Sequence, residues 1–448
     1  MALISDHKRI SAVVGAAGTG KTTTMAAVRA AWEEEHGVGS VIGVAPSAKA
    51  AHVLGDSLGI TGHTVDRFLM FHQGWGKSRI SELRDKAALA DLKAVTARSL
   101  KGKAALLTRA GQHRAEADLL ESSFTLKPGS LLIVDEASMT STAHLAHLSD
   151  LVEQAGAKMV MVGDPGQLDA VAAGGMLGWL DRTGKSVELS SIWRFKNPWE
   201  AKASMGLRRG ELEALGTYDQ AERIHSGLDE VMLEQAFQQT FAELASGGQS
   251  LLIAATNDVV SDVNMRFTHA LRVAGKVDTS KQIALSGQMN AALGDTILTR
   301  MNEAKIKDDA GRQVFNGDLL TVLDIHRGTI TARNQATGGT ITLPADYVAT
   351  NVQLGYSTTV HRCQGVTVDR ARLVLPSTEN LTRELLYVAM TRGRETNEAF
   401  VGVMDEVTAK EMNLPIDQVP SAYKRLAQAL AAEGAERTAH EKIILERD

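Results

Sequence analysis

The stretch Gly15-Ala16-Ala17-Gly18-Thr19-Gly20-Lys21-Thr22 decides the fold of this chain. It fits the pattern G-x-x-x-x-G-K-[ST], follows the apolar run Ile10–Val14 and precedes a helical pattern that extends from Thr22 to about Trp32. Glycines let the backbone turn tightly, so that successive N–H groups point at a phosphate to which the following helix presents its N-terminus. The stretch therefore predicts a strand, a phosphate-binding loop and a helix of an α/β unit.

Composition narrows the classes of protein to which the chain can belong. Its 448 residues predict two or three domains, and 44% hydrophobic and 23% charged residues are typical of globular proteins. The net charge of −5 argues against a wholly basic binder of nucleic acid but is compatible with a local basic groove. A single cysteine, Cys363, excludes an internal disulfide and a multi-cysteine zinc site.

Nothing in the sequence predicts contact with a membrane. No uninterrupted apolar run approaches the length of a membrane span, and Asp6, His7, Lys8 and Arg9 interrupt the N-terminal region that a signal peptide would need to be apolar. We therefore expect a cytoplasmic protein without a membrane partner.

Apolar runs recur between helical patterns in two series. The first series comprises Ile10–Val14, Val41–Val44, Leu131–Val134 and Met159–Val162, and the second comprises Leu251–Ala255, Leu373–Leu375 and Ala399–Val403. Such alternation predicts parallel sheets that are covered by helices. The predicted fold class is α/β, with two parallel-sheet units in one chain.

Two segments interrupt this alternation. Residues 74–128 are polar and helical in pattern, with eleven Lys or Arg against six Asp or Glu, and form either a solvated helical hairpin or an inserted subdomain that touches phosphates. Residues 294–346 hold short strand candidates separated by turn signals such as Asn316-Gly317-Asp318, which predicts a small antiparallel barrel or meander. The C-terminal stretch from about Pro420 is rich in Ala, Glu and Arg and predicts a helix.

Acids and an amide follow the ends of two apolar strands. Asp135 can hold Mg²⁺, and Glu136 can orient and deprotonate an attacking water. Gln167 follows the next strand, at the edge where open α/β sheets bind ligands, and can contact a γ-phosphate. Together with Lys21 on the phosphates and the Thr22 hydroxyl on Mg²⁺, these residues predict binding and hydrolysis of a nucleoside triphosphate.

Several stretches in a fixed order resemble the motifs of superfamily 1 helicases. Gly15–Thr22, Asp135–Ser138 and Gly163–Leu168 resemble motifs I, II and III. Five further stretches resemble motifs Ia, Ib, IV, V and VI, in that order: Ala45–Ala51, Gly62–Val65, Trp193–Phe195, Gly355–Gly365 and Glu384–Arg394. The resemblance covers residues from about 10 to 404 and is greatest to the 5′→3′ branch of RecD-like and Dda-like enzymes. Within that branch the chain is most similar to the helicase region of MobF-type conjugative relaxases of the TraA, TraI and TrwC kind.

The resemblance implies an ATP-dependent DNA helicase or translocase with two RecA-like domains. Domain 1 would span residues 1–195 with a helical or pin insertion at 74–128, domain 2 would span 196–404 with an SH3-like β insertion at 294–346, and a helical tail would occupy 405–448. The implied cofactors are ATP and Mg²⁺. The implied partners are single-stranded DNA, duplex junctions and other conjugation or DNA-processing proteins.

The resemblance also implies roles for individual residues. The catalytic residues would be Lys21, Asp135, Glu136, Gln167, Arg194 and Arg392, the last two as arginine fingers, and Thr22 and Asp135 would hold the metal. The nucleotide would contact Gly15, Gly18, Thr19, Gly20, Lys21, Thr22, Thr23, Gln364 and Gly365. DNA would contact Pro46, Ser47, Lys49, His63, Thr64, Thr358 and His361.

The chain departs from the family pattern at two points, and three alternatives stay open. No glutamine precedes Gly15, where the upstream motif that reads adenine would lie, so selectivity for adenine stays open, as does whether the chain is a fragment of a longer relaxase. No catalytic tyrosine with a three-histidine metal site fits the chain, so we expect no DNA nicking. The alternatives are a DNA-stimulated ATPase without unwinding activity, an RNA helicase of the Upf1-like branch, and a non-motor nucleotide-binding regulator.

Overall fold

The first half of the chain forms a parallel sheet with helices on both faces. The structure is a computed structural model that describes residues 8–168, 173–287, 289–404 and 420–434. The strands of this first unit are β1 (Ile10–Gly15), β2 (Val41–Ala45), β3 (Gly62–Thr64), β4 (Leu131–Val134), β5 (Lys158–Gly163) and β6 (Ser186–Leu189). Its helices are α1 (Lys21–His36), α2 (Ala48–Leu58), α3 (Val65–Met70), α4 (Gly76–Val95), α5 (Leu100–Phe124), α6 (Thr142–Ala155) and α7 (Met176–Arg182).

The order of the strands brings three functional segments together. The sheet has the order β3-β2-β4-β5-β1-β6, and every pairing in it is parallel. The carboxyl ends of β1, β4 and β5 therefore meet at one edge, where the phosphate loop, Asp135 and Asp164 follow them. This edge is the place at which ligands bind in open α/β sheets.

Alternating side chains on the central strands build a core on each face of this sheet. Val13 and Val14 are neighbours on β1, yet they belong to two separate apolar clusters. Met25 of α1 packs in the cluster of Val13, and Leu148 of α6 packs in the cluster of Val14. The near-continuous apolar runs of the sequence are thus explained, because a parallel strand covered on both faces buries every side chain.

The predicted helical insertion is a hairpin of α4 and α5 whose charges are segregated. Arg79 bonds Glu116 at 2.9 Å and Arg84 bonds Glu121 at 2.6 Å, so acids at the base of the hairpin neutralise its arginines. Residues 92–115, which include the tip, carry six Lys or Arg and no Asp or Glu. The excess positive charge of the insertion is therefore concentrated at the tip.

The second half of the chain begins with helices and strands of another α/β unit. These elements are α8 (Pro198–Arg209), α9 (Leu212–Gln220), β7 (Ile224–Gly227), α10 (Asp229–Ala245), β8 (Ser250–Ala254) and α11 (Asn257–Val273). Leu207 of α8 belongs to the same apolar cluster as Leu251 of β8. Helix α8 is thus part of the second unit, and the predicted boundary at 195/196 lies in the segment between β6 and α8.

An antiparallel segment interrupts the second unit. It contains β9 (Asp278–Ala284), β10 (Asn290–Leu293), β11 (Thr296–Thr299), β12 (Glu303–Lys307), β13 (Gln313–Val314), β14 (Leu319–His326), β15 (Thr329–Asn334), β16 (Thr340–Leu343), helix α12 (Ala345–Asn351) and β17 (Val352–Leu354). Five of these strands form one sheet in the order β16-β15-β14-β11-β17. The β insertion predicted at 294–346 is antiparallel as expected but extends from Asp278 to Leu354; its likeness to an SH3 fold stays a prediction.

The remaining elements complete the second parallel sheet. They are β18 (Ser357–Thr359), β19 (Val368–Leu375), α13 (Arg383–Ala389), β20 (Gly393–Gly402) and α14 (Ala422–Ala431). The sheet has the order β18-β8-β19-β20-β7 with parallel pairings throughout. Leu426 and Leu430 of α14 pack in the same cluster as Tyr387 of α13. The predicted helical tail at 405–448 is described only around α14, and its other residues lie outside the described ranges.

The two parallel sheets confirm the predicted α/β fold with two units. Among the residues that the structure describes, no helix combines the length and the apolar character that crossing a bilayer requires.

Candidate nucleotide site between the two units

The phosphate loop has the backbone that its glycines predict. Gly18 and Gly20 have φ values of 84° and 73°, in the left-handed region that favours glycine, and α1 begins at Lys21 directly after them. The Lys21 Nζ donates to the Gly15 carbonyl at 2.8 Å, and Thr19 Oγ1 donates to the Ala16 carbonyl at 2.9 Å. The loop therefore curls around the ammonium at the N-terminus of α1, where Thr22 is half-buried and Thr23 is exposed.

Gly18 is required for a second reason that lies outside the loop. A Cβ built at this position would lie 2.3 Å from the Cβ of Arg194, a distance that real side chains do not reach. The Trp193 N–H also donates to the Gly18 carbonyl at 2.8 Å. The segment that connects the two units thus lies directly against the phosphate loop.

Two acids follow β4 beside Lys21. Glu136 has a φ of 48°, unusual for a residue other than glycine, and its N–H donates to Asp135 Oδ1 at 3.0 Å. Burial raises the pKa of Asp135, against the lowering effect of the Glu136 N–H and of Lys21. Burial and then the Asp135 charge raise the pKa of Glu136. A carboxyl group with a raised pKa beside a phosphate loop has the character of a general base.

Asp164, at the end of β5, is the centre of a buried hydrogen-bond cluster. Its carboxylate is completely buried and accepts from Arg208 Nε at 2.8 Å, Tyr387 OH at 3.0 Å and Gln167 Nε2 at 3.0 Å. Burial acts to raise the pKa of Asp164, but Arg208 and Lys21 together hold it below its ordinary value. The predicted γ-phosphate contact Gln167 is therefore oriented by Asp164.

Arg194 and Arg392 lie side by side in the cleft. The Arg194 Nη1 donates to the Thr391 carbonyl at 2.8 Å, while Arg392 Nε donates to the Val388 carbonyl at 2.7 Å. Burial and then the Arg392 charge lower the pKa of Arg194 to about 10. Among the described residues, neither guanidinium forms an ion pair with a carboxylate. Two neighbouring guanidinium groups, buried at Arg392 and half-buried at Arg194, form a site for an anion when no carboxylate pairs with them.

Motif V contacts the segment that follows the acids. Gln364 Nε2 lies 3.2 Å from the Met139 Sδ, and Gly365 has a φ of 77°. The Arg392 charge also acts on the Glu136 carboxyl across the cleft. The structure thus brings the predicted nucleotide residues of both units to one place, although their individual roles stay predictions.

The residues predicted to contact DNA have mixed positions in the first unit. Ser47 and Thr64 cap α2 and α3 by accepting from Ala50 N and Arg67 N, and Pro46 directly follows β2. Lys49 donates to the Gly317 carbonyl at 2.9 Å, so the β insertion of the second unit engages its ammonium. Pro46, Ser47 and Lys49 thus lie between the end of β2 and the first turn of α2, and Thr64 lies where β3 ends and α3 begins.

His63, which the resemblance predicted to contact DNA, is instead buried. Its ring is 3% exposed, stacks on Phe124 at 3.8 Å and lies 3.1 Å from the Ser123 carbonyl through Nε2. Burial and then the Arg67 charge lower its pKa to about 4. The ring is neutral and packs between the sheet and the hairpin, so it is not placed to contact DNA.

In the second unit a pair of arginines lies next to the predicted DNA residues. Thr358 lines a cavity of about 210 Å³ together with Arg300 and Arg362, and His361 is exposed one residue before Arg362. Burial and then the Arg362 charge lower the pKa of Arg300, whose Nη1 donates to Gln353 Oε1 at 2.6 Å. No Asp or Glu lines this cavity. The sequence analysis missed Arg300 because a lone arginine in a β segment carries no motif.

Family models and known proteins are similar to this chain. A family model described as an AAA domain matches residues 1–229, and one described as a viral superfamily 1 RNA helicase core domain matches residues 315–398. The conjugal transfer protein TraA of Agrobacterium fabrum is 29% identical over 408 residues, which are 89% of this chain and 32% of TraA. The ATP-dependent RecD2 DNA helicase of Deinococcus radiodurans is 28% identical over 395 residues, 86% of this chain and 46% of that enzyme.

A solved structure has the same fold. The Pif1 helicase from Bacteroides, in complex with ADP-AlF3 and single-stranded DNA, matches with a TM-score of 0.50 and 16% identity, over 99% of this chain and 94% of that one. The chain belongs to the AAA-domain family, and it is similar to a superfamily 1 helicase core domain and to the TraA and RecD2 proteins. The resemblance that the motifs indicated is thereby confirmed. The chain spans about a third of the length of the TraA proteins that it matches.

Proposed function

We propose that this chain is an ATP-dependent motor that moves along single-stranded DNA and unwinds DNA during conjugative transfer, in the 5′→3′ direction. The observation that carries the proposal is the pair of Arg194, which is half-buried, and Arg392, which is buried, facing Lys21 and Glu136 without an ion pair to a carboxylate among the described residues. A γ-phosphate satisfies such a pair and joins the two units around one nucleotide. The names of the TraA and RecD2 relatives support DNA as the substrate.

The residues at the first unit fit ATP and Mg²⁺. Left-handed glycines at positions 18 and 20 aim backbone N–H groups at a phosphate, and Lys21 stands at the centre of the loop. Thr22 and Asp135 supply the oxygen ligands that Mg²⁺ prefers. The ion, when bound, neutralises charge on the phosphates. Glu136 accepts the proton of the attacking water, and the two arginines bind the phosphoryl oxygens.

An exposed aromatic residue lies beside the phosphate loop. Trp193 is 80% exposed, its N–H is bonded to the Gly18 carbonyl, and its Cδ1 lies 4.0 Å from a Cβ built at Gly20. An exposed indole beside a phosphate loop offers a face on which a base can stack. We assign Trp193 this role, which favours bases in general and does not by itself select adenine.

The proposed DNA path crosses both units. Pro46, Ser47 and Thr64 lie at strand ends of the first unit, and Thr358 lies beside the Arg300 and Arg362 cavity of the second unit. Binding through phosphates would be tolerant of sequence and sensitive to salt. The basic tip of the α4–α5 hairpin is proposed to contact the duplex ahead of the motor, at a junction. A cytoplasmic location and conjugation proteins as further partners stay predictions.

Two assays test the proposal. ATP hydrolysis is measured with single-stranded DNA and with RNA of equal length, and strand displacement is measured on duplexes with a 5′ or a 3′ tail. We expect DNA to stimulate hydrolysis and only the 5′-tailed duplex to be unwound. Lys21→Ala is the inactive control, and Lys77→Ala, an exposed lysine of the hairpin, is the matched control that retains turnover. A rate that does not respond to DNA would refute the motor.

RNA is the second candidate substrate. The match of residues 315–398 to a viral RNA helicase core domain favours it. Stronger stimulation by RNA than by DNA would make this the function. Stimulated hydrolysis without strand displacement would instead identify a translocase that does not unwind.

A further inference from the structure

The hydroxyl of Tyr387 bridges the two units at the phosphate loop. Tyr387 lies on α13 of the second unit and is completely buried. Its hydroxyl accepts from the Ala17 N–H of the phosphate loop at 2.8 Å and donates to Asp164 Oδ2 at 3.0 Å. One phenol thus contacts two separate segments of the first unit, which follow β1 and β5.

The acceptor of this bridge is itself held in the charged form. Asp164 receives Arg208 Nε of the second unit at 2.8 Å, and its pKa lies below the ordinary value because Arg208 and Lys21 outweigh its burial. A hydrogen bond to a buried carboxylate is stronger than one between neutral groups. Tyr387 and Arg208 therefore clamp Asp164 from the same unit.

The clamp acts on the turn that carries the arginine pair. Thr391 Oγ1 donates to the Tyr387 carbonyl at 2.7 Å, and Arg392 Nη2 donates to the Thr391 Oγ1 at 2.9 Å. Arg194 in turn donates to the Thr391 carbonyl at 2.8 Å. Both guanidinium groups are thus anchored to the helical turn whose first member is Tyr387.

We propose that Tyr387 is a positioning residue for ATP hydrolysis, whose hydroxyl fixes the distance between the phosphate loop and the Arg194–Arg392 pair. The inference rests on the proposed function, since it concerns the geometry of that reaction. Tyr387 acts through the arginines and through Asp164, which orients Gln167, and it holds no phosphate itself. A small displacement of a charge-stabilising group is enough to cost two orders of magnitude in rate.

Tyr387→Phe removes only the bridging oxygen, and the chain offers a matched control. Tyr218 is also completely buried in the second unit, and its hydroxyl has no hydrogen-bond partner in the described part of the chain. We expect Tyr387→Phe to lower the DNA-stimulated kcat at least tenfold while KM for ATP changes less than threefold, all as rough magnitudes. Tyr218→Phe is expected to leave both parameters near those of the wild type.

A double-mutant cycle separates positioning from general loosening of the fold. In an Arg392→Ala background, Tyr387→Phe is expected to lower kcat by a smaller factor than in the wild type, because one of the groups that it positions is absent. An equal loss in both backgrounds, or a Tyr387→Phe enzyme that behaves like Tyr218→Phe, would overturn the inference. Arg208→Gln loosens the same clamp from the other side of Asp164 and provides the test if Tyr387→Phe does not fold; an unchanged kcat in that variant would contradict the clamp.

The wild-type rate distinguishes the two proposals. If the wild-type protein hydrolyses ATP with DNA and Tyr387→Phe matches it, only the positioning role is lost. If the wild-type protein does not hydrolyse ATP, the proposed function fails and takes the positioning role with it.

Discussion

The two α/β units meet at one cleft with opposite charges, and burial acts on them differently. The first unit presents Asp135 and Glu136, whose pKa values burial raises, beside its own Lys21. The second unit brings Arg392, next to Arg194 of the connecting segment, without a carboxylate partner among the described residues. The negative charges of the first half of the site are thus offset by Lys21 of the same unit. The two guanidinium groups of the second half have no such partner and can be offset by a bound anion. Closing the cleft on a phosphate is the event that satisfies both.

Removing an arginine of the second half of the site should lower the rate of ATP hydrolysis strongly. Arg392→Ala is expected to lower kcat by about 10³-fold, because a guanidinium that stabilises a transferring phosphoryl group contributes at least that much. Arg394→Ala, two residues away, is the control: its side chain is 45% exposed and pairs with Asp369 at 3.3 Å. Steady-state ATP hydrolysis with saturating DNA measures both. An Arg392→Ala enzyme within threefold of Arg394→Ala would place the anion site elsewhere.

Neutralising the charged acid of the cleft should cost stability. Asp164→Asn leaves Arg208 buried without its partner and is expected to lower the free energy of unfolding by about 3–5 kcal/mol. Because the pKa of Asp164 is below its ordinary value in the folded protein, its contribution is present above the unfolded pKa and is lost as the pH falls through the folded pKa. Urea unfolding at pH 8 measures the loss in the variant, and urea unfolding below the ordinary aspartate pKa of 3.8 tests its pH dependence. A variant as stable as the wild type at pH 8 would show that the pair contributes nothing.

Removing the indole should have an intermediate effect on nucleotide affinity. Trp193→Ala is expected to raise KM for ATP about tenfold with little change in kcat, since stacking of a base on an aromatic ring contributes about 1–3 kcal/mol. Trp193→Phe should recover most of the loss. Trp75→Ala, a tryptophan at the hairpin that is 36% exposed, is the control. Equal KM values for Trp193→Ala and Trp75→Ala would contradict the stacking role.

Neutralising Glu136 should produce the smallest change in stability, with the opposite sign to that of Asp164. The raised pKa means that ionised Glu136 opposes folding, and this cost appears as the pH rises from the unfolded pKa through the folded one. Glu136→Gln is therefore expected to raise the free energy of unfolding at pH 8 by about 1 kcal/mol while ATP hydrolysis is lost. Thermal unfolding at pH 8 checks the sign. A less stable Glu136→Gln protein would mean that the carboxylate is stabilised where it lies.

The sequence predicted the parts of the site that depend on local patterns. A strand, two positive-φ glycines and a helix make the phosphate loop, and the spacing of eight residues contains all of this information. Asp135, Glu136 and Gln167 could also be predicted from the sequence, because they follow the ends of two apolar strands by at most four residues. The family resemblance, rather than any spacing, directed attention to Arg392.

Other features depend on contacts between distant residues and could not be read from a pattern. Tyr387 reaches Asp164 across 223 positions, and Lys49 reaches Gly317 across 268. His63 is buried because Phe124 at the end of the hairpin covers it, and no residue near His63 in the sequence predicts this packing. Strand β9 lies outside the predicted insertion at 294–346, and no apolar run marks it, because Ile283 and Ala284 are its only apolar residues.

The connecting segment is fastened at both of its ends. The Trp193 N–H is bonded to the Gly18 carbonyl of the first unit, and the Lys196 N–H is bonded to the Arg394 carbonyl of the second, each at 2.8 Å. Only two residues lie between the two residues that donate these hydrogen bonds, and Arg194 is one of them. A displacement of the phosphate loop is therefore transmitted through a very short segment to the residues around Arg392. The two units are thus coupled by a short, hydrogen-bonded segment, whereas a long and flexible linker would not transmit such a displacement.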